Sequence, residues 1–105
     1  MSYQVVVTDR AARDLELAYL WISERSPQTA ARWYGGFLDA LAGLCSNPQR
    51  CPLACESQRF PSEIRQLLYG KRRTYRALFT IRHETVVVLH IRHSSRPEAS
   101  PEDLI

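Results

Sequence analysis

RTYRALFTIRHETVVVLHIRH, residues 73–93, decides the fold. Tyr75, Ala77, Phe79 and Ile81 alternate with Arg76, Leu78, Thr80 and Arg82, the period of two that sends successive side chains to opposite faces of a strand. His83-Glu84 interrupts the pattern and gives the chain a place to reverse. Val86–His93 then resumes as the most strongly apolar strand of the sequence. Upstream, Ile64–Tyr69 reads as a further strand and Gly70-Lys71-Arg72 as the turn that follows it. The C-terminal half is therefore a small antiparallel sheet.

Outward from that sheet, the N-terminal half changes period. Ser2–Thr8 is short and β-branched and reads as a strand. Thr8 or Asp9 then caps a helix whose apolar stripe is Ala11, Leu15, Ala18 and Ile22, broadened by Ala12 and Tyr19, running to about Arg25. Ser26-Pro27 restarts the chain, with Ser capping and Pro in the first helical position. The second helix carries Ala30, Trp33, Phe37, Leu41 and Leu44, and Asn47-Pro48 ends it. So short a turn folds the two helices into an antiparallel hairpin. Gly35-Gly36 lies inside the second helix, where each Gly costs about 1 kcal/mol against Ala. The pair marks close helix packing, a kink, or the approach of a partner's backbone. Residues 46–63 hold three Pro and no periodicity, and read as a long loop with at most a short helical turn. The expected class is α+β in the order β-α-α-β-β-β, a mainly antiparallel sheet with the N-terminal hairpin on one face and the other face partly open.

The composition permits one such domain and little else. The chain has 105 residues, 45% apolar and 24% charged, with 4 Gly and 6 Pro, which excludes disorder, a collagen-like repeat and a two-domain cofactor enzyme. No secretory signal or membrane-length apolar run is evident, so the expected compartment is the cytoplasm. The formal charge of +3 conceals a sorted distribution: residues 1–58 carry −1, residues 59–96 carry +7, and the acidic tail 97–105 carries −3. In the basic segment Arg outnumbers Lys eight to one, and the planar guanidinium suits phosphate and carboxylate. Lys71, Arg72, Arg73, Arg82, Arg92 and Arg96 are the candidates for a polyanion-binding surface.

Catalytic alternatives find less support. Cys45, Cys51 and Cys55 are spaced C-x5-C-x3-C, without a zinc-knuckle pair. Cys45 is expected in the core, Cys51 and Cys55 in the loop. His90 and His93 fall on opposite faces of one strand unless a bulge intervenes. No nucleophile elbow, P-loop or dinucleotide fingerprint is present. Only Glu63 and Glu84 supply carboxylates in the basic segment. Neither a metal nor a cofactor is expected.

The order and spacing of these features resemble the RelE/ParE toxin superfamily from about Tyr3 to Arg96. The likeness rests on Ala12, Asp14 and Leu15 in the first helix, Ser26-Pro27 with Ala30, Ala31 and Trp33, and the Asn47-Pro48 stop. In the second half it rests on Ile64-Arg65, Tyr75-Arg76-Ala77-Leu78-Phe79, and Val87 to His93 with Arg96 just after. The resemblance implies the toxin of a type II toxin–antitoxin, plasmid-stabilisation module. Its partner would be a cognate antitoxin with an acidic, partly disordered segment, the assembly a homodimer or a toxin–antitoxin heterotetramer, with no membrane involved. The long hairpin, the R-H-S-S-R ending of the last strand and the tail beyond it look more like the ParE branch, whose members poison DNA gyrase. One alternative is a degenerate, non-toxic homologue that keeps only antitoxin binding; the other is RelE-like, metal-independent messenger-RNA cleavage on the ribosome. That cleavage would use Arg65 and Arg76 on the phosphate and His93 or His90 as acid, with Ser94-Ser95 where that branch places His or Tyr. The sequence offers that chemistry no general base.

Overall fold

The computed structural model describes residues 2–104. Met1 and Ile105, the last residue of the expected tail, lie outside the described residues. Strand β1 (Gln4–Val7) leads into helix α1 (Asp9–Ser23), helix α2 (Pro27–Ala42), and strands β2 (Arg65–Tyr69), β3 (Tyr75–Arg82) and β4 (Thr85–His93). Both helix starts are capped as their sequences predict. Thr8 accepts from Ala11 N–H at 3.2 Å and Ser26 from Thr29 N–H at 3.3 Å, each satisfying a donor that the helix itself cannot. The loop between α2 and β2 is built from single 3-10 turns at Gly43–Cys45, Pro48–Arg50 and Cys55–Arg59.

The four strands form one sheet in the order β1-β4-β3-β2. β2, β3 and β4 are antiparallel, whereas β1 lies parallel to β4, Val7 meeting Val88 at its end. The hairpin covers one face. There Ala11, Leu15, Phe37, Leu41 and Leu44 pack on Tyr75, Ala77, Phe79, Val86, Val88 and Ile91, the alternate positions of β3 expected to face inward. Cys51 rather than Cys45 belongs to this core: Cys51 is buried and Cys45 half-buried. The chain after Cys51 runs alongside β2, where the Pro52 carbonyl accepts from Gln66 N–H at 3.0 Å and Leu53 bridges to Arg65. All three cysteines are free.

The opposite face is less open than the strand pattern implies. Leu78 and Leu89 are buried there beneath Ala54 and Ile64 from the loop and Ala99 and Leu104 from the tail. These apolar contacts and the Ala99 N–H bond to Glu56 fold the tail back onto the sheet. The register slips once, between Leu78/Phe79 and β4, where Leu78 pairs with His90 and Phe79 with Val88. Leu89 is the extra residue of a β-bulge, which rephases the end of the strand. His90 and Arg92 then share the face of Leu78 and Arg76, and Ile91 and His93 turn toward the hairpin.

Gly36 packs against the sheet. A Cβ there would collide with the Tyr69 hydroxyl, which donates to the Trp33 carbonyl at 3.1 Å. Gly35 has no such neighbour. Gly36→Ala is therefore expected to destabilise the chain by about 1–3 kcal/mol through overpacking. Gly35→Ala should stabilise it by about 1 kcal/mol through helix propensity. Urea unfolding of the two variants checks the opposite signs.

Candidate functional site

The aromatic residues of α2 and the sheet meet at the end of the hairpin. Trp33 packs edge-on against Phe37 (5.4 Å between centroids) and Tyr75 (5.1 Å), and Tyr75 against His93 (5.1 Å). Between them and the end of α1 opens a cleft of about 560 Å³, lined by Trp21, Ile22, Arg32, Trp33, Lys71, Tyr75 and His93 among others. A second hollow of about 460 Å³ shares Trp21, Tyr75 and His93 and continues past Leu17, Ala18 and Arg96. Leu17, Leu20 and Trp21 are 59%, 49% and 54% exposed, too much apolar surface in one place for a helix that only serves the core. The Arg25 guanidinium lies 3.9 Å over the Trp21 ring, a cation–π contact.

Cations rim the cleft because the β2–β3 turn pushes them outward. Gly70, Arg72 and Arg73 have φ of 94°, 58° and 55°, left-handed conformations that cost a non-Gly residue roughly 1–2 kcal/mol. The turn is held by Thr74, whose hydroxyl donates to the Lys71 carbonyl, and by Ser94, whose hydroxyl donates to the Arg73 carbonyl. With its carbonyls occupied, the turn leaves Lys71, Arg72 and Arg73 exposed to solvent. Arg96 is likewise exposed. Arg82 is exposed at the far end of β3, seven residues from Tyr75 and so about 23 Å along the strand.

Of the remaining candidates, only His93 and Arg92 reach these hollows. Arg76 is 8% exposed on the face away from the hairpin, where its two terminal nitrogens donate to Glu56 Oε1 at 3.0 Å and Oε2 at 2.7 Å. Arg92 is also 8% exposed and donates to Asp103 Oδ2 at 3.2 Å. Arg65 donates to the backbone carbonyls of Cys51 at 2.6 Å and Gln49 at 3.2 Å. It pairs with Phe79, four residues from Tyr75 and thus about 13 Å along the sheet. His93 faces the cleft, and its Nδ1 accepts from Ser95 N–H at 3.1 Å and lies 2.7 Å from Ser95 Oγ. That arrangement leaves Nε2 as the nitrogen carrying the ring proton. Arg65, Arg76 and His93 thus do not converge on one substrate position. Asp14 lines the same hollow as His93 but is committed to His90, Ile91 N–H and Arg10, and burial pushes the Tyr75 phenol up, keeping it protonated. Among the described residues no group of three or more His, Cys, Asp or Glu is placed to hold a metal ion. No helix is long and apolar enough to cross a membrane.

The fold, the sorted cations and the Tyr75-to-His93 segment agree with one family. Residues 5–98 match the ParE toxin of the type II toxin–antitoxin system, parDE. The chain belongs to the ParE toxin family. Among solved structures it is similar to the chromosomal ParDE toxin–antitoxin system from P. aeruginosa, with 19% identity, a TM-score of 0.69, and coverage of 88% of this chain and 96% of the other. It is also similar to the RelBE2 toxin–antitoxin complex from Mycobacterium tuberculosis, with 24% identity, a TM-score of 0.56, and coverage of 91% and 95%. At these identities the likeness is one of fold. No functionally curated protein matches the sequence.

Within this ParE-family toxin, Glu56 is a residue that sequence reasoning missed. It is 1% exposed. Burial by itself would raise its carboxyl, but the Arg76 guanidinium and the Ala99 N–H hold it down to about 2. A depressed carboxyl contributes stability that is fully present above its ordinary value of 4.5 and disappears as pH falls through about 2. Glu56→Gln is expected to cost about 3–5 kcal/mol at pH 7, because it strands a buried guanidinium. The gap between wild type and variant should narrow below pH 4.5, as urea unfolding at pH 7 and pH 3 will read.

Proposed function

We propose that this toxin arrests growth in the cytoplasm by poisoning DNA gyrase, and that a cognate antitoxin silences it by laying an acidic, partly disordered segment into the aromatic cleft. What carries the reading is the arrangement of cations. Arg32 and Lys71 line the apolar cleft and Arg96 its continuation, with Arg72 and Arg73 exposed next to Lys71 in the same turn, while the groups nominated for RNA cleavage are dispersed or already paired. Phosphodiester cleavage requires a base, a cationic stabiliser and an acid within hydrogen-bond reach of one phosphate. Protein recognition requires only apolar anchors inside a charged rim. Half-exposed Trp21 and the Trp33–Tyr75 pair supply the anchors. An acidic segment that folds on contact would neutralise the rim as it buries them.

Purified toxin is expected to inhibit gyrase supercoiling and to stabilise cleaved DNA–gyrase complexes, without codon-phased cuts in translated messenger RNA. His93→Ala should remain toxic on induction. Phased messenger cuts that disappear in His93→Ala would overturn the gyrase reading. Paired Trp21→Ala and Arg32→Glu substitutions are expected to weaken antitoxin binding at least tenfold, since an aromatic anchor and a rim charge are lost together. Titration calorimetry measures the affinity, and light scattering on the same complex reads its stoichiometry.

A further inference from the structure

Five charged or titratable side chains close a ring across the edge of the sheet. β1 ends at Val7, so beyond Val88 β4 is paired only with β3 and its other edge has no strand; α1 takes that place. Asp14 Oδ2 accepts from Ile91 N–H at 3.1 Å and from His90 Nδ1 at 2.5 Å. His90 Nε2 accepts from Arg92 Nη1 at 3.0 Å, and Arg92 Nη1 donates also to Asp103 Oδ2 at 3.2 Å. Asp103 Oδ1 accepts from Arg10 Nη2 at 3.2 Å, and Arg10 Nε returns to Asp14 Oδ1 at 3.2 Å. Four of the five belong to α1 and β4. Only Asp103 comes from the tail, beyond residue 98 where the family match ends.

The tail behaves geometrically as a ligand of the body. Its carboxylate sits between two guanidiniums, and the adjacent Leu104 fills the apolar strip of Leu78, Leu89 and Ile64. Ala99 N–H adds one bond to Glu56 Oε2 at 2.9 Å. The fit is incomplete in one respect: Arg92 Nε is buried without a hydrogen-bond partner, so Asp103 engages a single nitrogen of a group whose planar fork suits two-point carboxylate binding. A segment so short, anchored by one large apolar side chain, opens locally at far less cost than the whole domain. When it opens it leaves two cations beside an apolar strip.

We propose that the sheet face opposite the hairpin is a second docking surface, for an acidic peptide segment of a protein partner that carries a carboxylate next to a leucine-sized residue. The chain's own Asp103-Leu104 occupies it in cis until such a segment displaces it. Its apolar strip lies across the sheet from the aromatic cleft, although Arg92 at its margin also lines the second hollow, and the proposal stands whether or not gyrase is the target. A tethered competitor has an effective concentration in the millimolar range, so a free peptide binds in proportion to the fraction of open tail.

The probe is a synthetic peptide of residues 97–105, PEASPEDLI, labelled and titrated against the full chain by fluorescence anisotropy. A full-length Asp103→Asn, Leu104→Ser variant, whose tail is a poor competitor, is expected to bind it at least tenfold more tightly than wild type. A peptide carrying the same two changes should not bind either protein. In wild type, excess peptide should accelerate cleavage after Glu102 by a Glu-specific protease, as the tail is displaced. Absence of peptide binding to the folded variant, or equal binding of the altered peptide, overturns the proposal. A variant that fails to fold overturns it too, as does wild-type tail whose amides exchange only with global unfolding, since the tail would then be part of the cooperative core.

Discussion

Glu56 and Arg76, nearly removed from water, face each other under the sheet at 2.7 Å and 3.0 Å, and the back of the molecule depends on that pair. Both ions pay for desolvation, so the geometry must be nearly complete to be tolerated. It is: Gln66 Oε1 takes a further Arg76 proton at 3.2 Å, and Glu56 Oε2 takes the Ala99 N–H. One pair therefore ties the loop turn Cys55–Arg59, the start of β3, the edge strand β2 and the start of the tail. The helical hairpin shields only one face of this sheet. The other is covered by segments with no helix or strand of their own length, and such segments need a directional anchor where apolar area is small.

The same pair explains what became of the basic segment. The charges of −1, +7 and −3 along the chain are complementary in space as well as different in sign. Glu56 comes from before the basic segment to Arg76, and Glu98 and Asp103 come from after it to Arg59 and Arg92. Lys71, Arg72, Arg73, Arg82 and Arg96 make no ion pair among the described residues. The surplus that faces solvent is thus set by which arginines the protein's own acids reach. It is gathered mainly at the β2–β3 turn and just after β4, near exposed Trp21 of α1 and half-buried Trp33 of α2. Surface ion pairs such as Arg59–Glu98 hold segments weakly, whereas burial makes the Glu56–Arg76 pair selective for one arrangement.

Local pattern made the elements legible. Capping by Thr8 and Ser26, the stripe of Ala30, Phe37 and Leu41, and the alternation from Tyr75 to Ile81 depend on neighbours in sequence, and period and side-chain chemistry report neighbours well. The β-bulge at Leu89 was not legible, since an apolar run reads the same with or without an extra residue. Nor were the pairings Glu56 with Arg76 and Asp14 with His90, whose members lie 20 and 76 residues apart. Periodicity carries no information about which distant charge a charge will meet. A weaker signal was present in the tail, where Ala99 and Leu104 interrupt a polar stretch; apolar residues in a solvated tail have a reason to be there only if something buries them. Gly36 needed the fold before its meaning was fixed, because its neighbour Tyr69 comes from a different element.

These pairings separate two ways in which an arginine-rich chain can work. A catalytic arrangement needs its groups to converge on one reacting phosphate, so committing Arg76 to Glu56 inside the fold would withdraw a group that catalysis needs. A recognition surface tolerates, and gains from, the internal pairing of most of its cations. Unpaired guanidiniums scattered over every face would bind polyanions indiscriminately, whereas a few, confined to the rim of an apolar cleft, favour a partner that brings carboxylates and apolar side chains together. The tail satisfies that same description on the opposite face: Asp103 for the cations and Leu104 for the apolar strip. Two surfaces of one small domain thus ask for the same ligand chemistry, and the chain answers one of them itself.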